Sequence, residues 1–122
     1  MPTEPEPLTL AEAARRAVEI CDPDGHDADL ADFLVRFEDD DAPISAIADI
    51  EARVAERKGA IDPEDELPAL TMAAAVIVYL AFRRDEVSDD ADDILRLAAR
   101  AEFDGDPPEA VGEWLAARGV AA

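Results

Sequence analysis

"ALTMAAAVIVYLAF", residues Ala69–Phe82, decides the fold. Apart from Thr71 and the hydroxyl of Tyr79, a helix drawn through this stretch is apolar on every side. Such a helix must be covered all round, by lipid or by protein. At 1.5 Å per residue the stretch spans about 21 Å, short of the ~30 Å hydrocarbon layer of a bilayer, and acidic residues flank it. The expectation is an all-α protein, a compact bundle of five to six helices around a central apolar helix over residues 69–83. A buried strand competes, because "VIVYLAF" is rich in β-formers, but no alternating partner strand appears elsewhere.

Upstream of the central stretch, "DPEDELP" carries a helix start signal: Asp62 as cap, Pro63 in the first helical position, Glu64 and Asp65 in the first turn. Pro68 lacks the amide that would bond back to Glu64, so a kink or a fresh start is expected there. The preceding helix carries Ile44, Ile47, Ile50 and Val54 and is expected to end at "RKG". Arg57 and Lys58 would favour its negative end, and Gly59 would supply a left-handed cap. The acidic run Glu38–Asp41 before Pro43 falls at the positive start of that helix.

Further back, Asp27 is placed as an N-cap, and Leu30, Phe33, Leu34 and Phe37 recur at i, i+3, i+4 and i+7. Asp32 precedes Arg36 by four residues, the favourable order for an exposed ion pair worth only ~0.3 kcal/mol. The first helix opens on a capping box, Thr9 with Glu12, and carries Leu10, Ala14, Ala17, Val18 and Cys21 to the "DPDG" turn at Asp22–Gly25. Residues 1–7, with three prolines among seven positions, are expected to be a disordered or extended acidic leader, and residues 8–122 a single helical domain.

Downstream, Arg83 and Arg84 sit near the negative end of the central helix, and Ser88 is placed as the cap of the next. Ile94, Leu97, Ala98 and Ala101 are its expected inner face, with Leu95 and Phe103 alongside, and "FDGD" ends it. "DPPE" repeats the start signal, with Asp106 as cap and Pro107 in the first position, before Val111, Trp114 and Leu115 dock a short helix that stops at Gly119. The recurrent Asp-Pro is taken as a start signal rather than as a sequence repeat.

Composition agrees with helices. The chain has 122 residues, 49% of them hydrophobic, with much alanine and only four Phe, one Trp and one Tyr. That favours thin helices packed closely around one core over a sheet sandwich. Charge is the outlier, with 31 acidic against 11 basic residues and a formal net charge of −20. A field of that sign repels nucleic acid and anionic membranes. It fits adaptation to a salty cytoplasm, an acidic face that docks a basic partner, or mimicry of DNA by a protein surface. The start "MPTEPEPLTL" has neither the basic nor the apolar region of a secretory signal, so a cytoplasmic location is expected.

Groups that carry chemistry are few. Cys21 is the single cysteine and His26 the single histidine. Cys21 ends an apolar stripe and is expected to be a small buried hydrophobe rather than a reactive thiol. The hydroxyls are Thr3, Thr9, Ser45, Thr71, Tyr79 and Ser88, and no catalytic triad can be assembled from them with His26. The segment "CDPDGHDADLAD", Cys21–Asp32, invites a calcium loop but fails its spacing. Counted from Asp22, position 5 is His26, position 6 is Asp27 and position 12 is Phe33. His26 is therefore placed as a solvated turn residue.

DNA mimicry would need carboxylates along one face, whereas aspartates at helix starts scatter around a bundle. Arg15, Arg16, Arg53, Arg57, Arg96 and Arg100 interrupt the field as ion-pair partners on exposed faces. No catalytic, cofactor or metal residue is assigned. The expected function is non-enzymatic protein association with a basic-surfaced partner, as an adaptor or regulator, without direct nucleic-acid or membrane binding. An acidic inhibitor occupying a nucleic-acid-binding site, and a carboxylate enzyme or weak cation binder, are the alternatives. Trp114 is expected to be mainly a core plug, and if the last helix docks only loosely, the groove beneath it is the first candidate surface.

Overall fold

The computed structural model describes residues 9–38, 43, 49–64, 66–83 and 90–120. The helices among them are α1 (Leu10–Cys21), α2 (Ala28–Val35), α3 (Ile50–Ile61), α4 (Pro68–Phe82), α5 (Ala91–Phe103) and α6 (Glu109–Ala117). The only sheet-like pairing among the described residues is an isolated antiparallel bridge between Thr9 and Pro43. The protein is all-α.

α4 is the hub and touches each of the other five helices. Leu70, Met72, Ala73, Val76, Ile77 and Leu80 are fully buried in it. Around them lie Leu10, Ala14 and Ala17 of α1, Leu30 and Phe33 of α2, Val54 of α3, Ile94 and Ala98 of α5, and Leu115 of α6. Phe37, just beyond α2, meets Phe33 edge to face at 5.0 Å between centroids. Fifteen residues make α4 the longest of these helices. No helix of the described residues is long and apolar enough to cross a membrane.

The expected caps at Thr9 and Asp27 are present. Thr9 Oγ1 accepts the Glu12 N–H at 3.2 Å, and Asp27 accepts the amides of Asp29 and Leu30 at 3.0 and 3.2 Å. The Asp32–Arg36 pair forms at 3.7 Å, with both side chains well exposed. α4 starts afresh at Pro68, as the missing amide requires.

Four local expectations are corrected. α3 does not stop at Gly59 but runs through it to Ile61, and Gly59 is not among the residues with positive φ. The extra turn is held because Ile61 packs against the core and the Asp62 N–H donates to the Lys58 carbonyl at 2.8 Å. Asp62 consequently ends α3 instead of capping the next helix. α6 begins at Glu109 with Pro108 in the N-cap position, φ −53° and ψ 150°. Asp106 and Pro107 each precede a proline and are thereby kept out of helical conformation, so both remain in the turn.

The third correction concerns α5, whose buried residues are Ile94, Leu95, Ala98 and Ala99, whereas Leu97 is half-buried and Ala101 exposed. The inner stripe is rotated from the expected one because α4 meets α5 from a side that the sequence period does not specify. Asp90 caps α5 by accepting the Asp92 N–H at 2.9 Å. The expected Ser88 cap, Arg84, the acidic residues 39–41, Ile44 and Ile47, and the leader over residues 1–7 lie outside the described residues.

The fourth correction matters most for function. α4 is not covered all round: Phe82 is 70% exposed, and Thr71, Ala74, Val78 and Tyr79 are only half-buried.

Candidate functional site

The open face of α4 is the floor of a trough. Thr71, Ala75, Val78 and Phe82 follow one another at steps of four, three and four, so they share one side of the helix, along which Phe82 is exposed, Thr71 and Val78 are half-buried and Ala75 is 4% exposed. α3 forms one wall and α5 the other. Two hollows of about 230 and 330 Å³ lie end to end in it and share Glu51, Ala75, Val78 and Glu102. The first extends toward Thr71, Lys58 and Phe103, the second toward Tyr79, Phe82 and Arg83. Each is at or below the low end of the ~300–1,000 Å³ usual for small-molecule pockets. Their lining is alanine-rich, with Glu51, Lys58, Arg83 and Glu102 as its charged members.

The trough exists because α3 is too narrow to cover its side of the hub. Only Ile50 and Val54 of α3 are buried, a single row, while Glu51, Ala52, Arg53, Ala55 and Glu56 face solvent. On the other wall, Ala101 and Glu102 are exposed in the last turn of α5. None of Val78, Phe82, Glu51 and Glu102 stood out in the sequence. A signal was available in "IEARVAERKGAI", whose apolar stripe is one residue wide and leaves part of an all-apolar neighbour uncovered.

Beneath the last helix, where a groove was expected, there is a single hollow among the described residues. α6 docks with Val111 and Leu115 buried, and Trp114 half-buried beside a hollow of about 240 Å³ that reaches Leu30 and Pro68. The Arg118 guanidinium lies 4.1 Å over the Trp114 ring and donates to the Cys21 carbonyl. The last helix is thereby tied back to the first corner.

At that corner the polar residues serve the backbone. The Asp22 carboxylate accepts the amides of His26 and Asp27 at 3.1 and 2.9 Å, and these bonds, led by that from Asp27, hold its pKa below the usual 3.8. His26 is exposed in the turn. Cys21 is fully buried, and burial pushes its thiol up to about 12. Cys21 and His26 therefore do not form a nucleophile and base. Among the described residues, no three His, Cys, Asp or Glu side chains converge in a way that would hold a metal ion.

Asp62 repeats the Asp22 corner 40 residues later. Its φ and ψ are −132° and 69° against −142° and 68°, and its carboxylate accepts the amides of Glu66 and Leu67, both at 2.9 Å. The difference is burial, since Asp62 is 7% exposed. This corner sets where α4 begins, and so fixes the Thr71 end of the trough relative to α3. The arginines behave as expected in part. Arg16 pairs with Glu19 at 2.9 Å and Arg96 with Asp93 at 3.1 Å, but Arg57 lies over the Phe37 ring at 4.6 Å.

No family model, curated protein or solved structure matches this chain.

Proposed function

We propose that this chain is a small acidic protein-association module, an adaptor or regulator without catalytic activity, which docks a partner protein in the trough over α4. One observation carries the proposal: the helix that otherwise makes the core leaves Phe82 70% exposed and Ala74, Val78 and Tyr79 half-buried between α3 and α5. Contiguous apolar surface of this kind, rimmed by polar residues, marks interaction sites in folded proteins. The net charge of −20 favours a partner with a basic surface.

The test places a photo-reactive side chain at position 82 and, as control, at the exposed position 31 of α2. Both are irradiated in native lysate at the ionic strength of the source. Discrete adducts at position 82 that are missing at position 31, and that disappear in a Val78→Arg background, support the module. Equal adducts at both positions, or adducts at 82 indifferent to Val78→Arg, overturn it.

A further inference from the structure

α6 differs from the other helices in how it is held. Among the described residues, each of the other five packs substantially on at least two neighbours, whereas α6 packs so on α4 alone. We propose that α6 is a hinged strap, which opens from α4 as one unit while the remaining helices stay folded, and that Arg118 is its clasp. The proposal is independent of the trough.

The hinge lies between α5 and α6. Asp104 ends α5 in the left-handed region at φ 52°, and Gly105 follows at φ 81°. Glycine and aspartate enter that region at least cost, and a few such positions suffice to absorb the φ and ψ change of a hinge. Pro107 and Pro108 have a fixed φ and no amide to donate, so movement concentrates on residues 104–106. Among the described residues one backbone bond spans this turn, from the Asp106 N–H to the Phe103 carbonyl at 2.9 Å.

The hold on α6 itself is slight. It buries Val111 and Leu115, with Val120 just beyond its end. No side chain caps its first turn, and Gly112 stands inside it, where glycine weakens a helix. Its one polar side-chain tie to another helix among the described residues is Arg118, which stacks on Trp114 of its own helix and donates to the Cys21 carbonyl 97 positions back. That carbonyl is at the negative end of α1, which has no basic residue in its own last turn, so Arg118 supplies the missing cation. Arg118 is exposed and borders a hollow of about 370 Å³ shared with Arg16, Glu19 and Asp92, so water competes for the bond. Opening bares the start of α4, where Leu67, Pro68 and Leu70, with Leu30 of α2, line the hollow beside Trp114.

Hydrogen exchange of the full folded chain, followed amide by amide by nuclear magnetic resonance in sub-denaturing urea, tests the proposal. The amides of Gly112, Leu115 and Val120 are expected to share one opening equilibrium. That opening is expected to be at least about tenfold more populated than the one exposing Ile77 and Leu80 of α4, and to depend less on urea. Val54→Ala alters the core between α3 and α4, and α3 has no substantial packing on α6. It is expected to speed exchange at Ile77 and Leu80 about tenfold or more and to leave α6 unchanged, because position 54 stays packed in the open form. Arg118→Ala is expected to speed exchange across α6 about tenfold, with Arg118→Lys between it and wild type, since lysine keeps the charge but not the planar stack. Both variants retain the buried apolar face of α6.

If α6 exchanges no faster than Ile77 and Leu80 and accelerates with Val54→Ala, it opens only with the whole chain and the strap is overturned. A steady climb in rate from Val111 to Val120 is fraying rather than hinged opening, and overturns it as well. Exchange in α6 that Arg118→Ala changes by less than about twofold removes Arg118 as the clasp.

Discussion

Asp62→Ala is the sharpest perturbation of the framework that holds the trough. The Asp62 carboxylate accepts two backbone amides at 2.9 Å and is 7% exposed, so water cannot readily replace it. A hydrogen bond to a charged group contributes about 1.5–3 kcal/mol, and the loss of a capping side chain costs about 0.5–2 kcal/mol. Both bonds share one carboxylate and do not add fully, which places the cost near about 3 kcal/mol. With an unfolding entropy of ~2.1 cal/mol/K per residue, a chain of this length loses about 4 °C of Tm per kcal/mol, or about 12 °C in all. Thermal unfolding followed by circular dichroism, at fixed salt, reads this directly. Asp62→Asn keeps one acceptor oxygen and is expected to fall between wild type and alanine. Asp22→Ala removes the same two kinds of bond at an accessible corner and is expected to lower Tm clearly less. If Asp62→Ala shifts Tm by no more than Asp22→Ala does, the argument from burial is wrong.

The remaining predictions concern the core, the thiol, the acid limb and the salt response. Ile77→Ala in the buried face of α4 is expected to cost about 3 kcal/mol in urea unfolding, whereas Phe82→Ser on the same helix stays within about 0.5 kcal/mol of wild type. Cys21 holds its proton more tightly when folded, so stability is full below its ordinary pKa of 9.0 and declines as pH rises toward about 12. A thiol reagent at pH 8 is expected to label Cys21 only as fast as the chain opens. Asp22 has the opposite sign. Its pKa is lowered by folding, so the stability gap between wild type and Asp22→Ala is full above 3.8 and closes as pH falls through the lowered folded value. The −20 charge is expected to make stability rise with added salt, and a chain equally stable at low and molar ionic strength would count against adaptation to a salty cytoplasm.

Much of this architecture is local and therefore legible in the residue order. Thr9 and Asp27 mark helix starts because a short oxygen-bearing side chain reaches an amide two or three residues ahead, whatever the rest of the chain does. Pro68 restarts the chain because it has no amide to continue a helix. Leu30, Phe33 and Phe37 are buried as their period predicts. The all-apolar stretch Ala69–Phe82 identified the hub because a helix without a polar face has nowhere to go but inside.

The candidate site was not legible, and the reason is the same stretch. A helix apolar on every side carries no phase, so its own residues cannot say which side stays open. That depended on two non-local facts: α3 presents one buried row, and α5 turns Ile94, Leu95, Ala98 and Ala99 inward and leaves Ala101 and Glu102 at the rim. Asp62 illustrates the same division. "DP" reads equally well as the end of one helix or the start of another, and only the packing of Ile61 on the core with the bond from Asp62 to Lys58 decided for the end. The sequence by itself determined an all-α chain, its hub and most of its helix starts, because capping and hydrophobic burial are short-range or averaged effects. The tertiary structure alone decided where the hub stays uncovered, because coverage depends on how wide each neighbouring helix is and from which side it arrives.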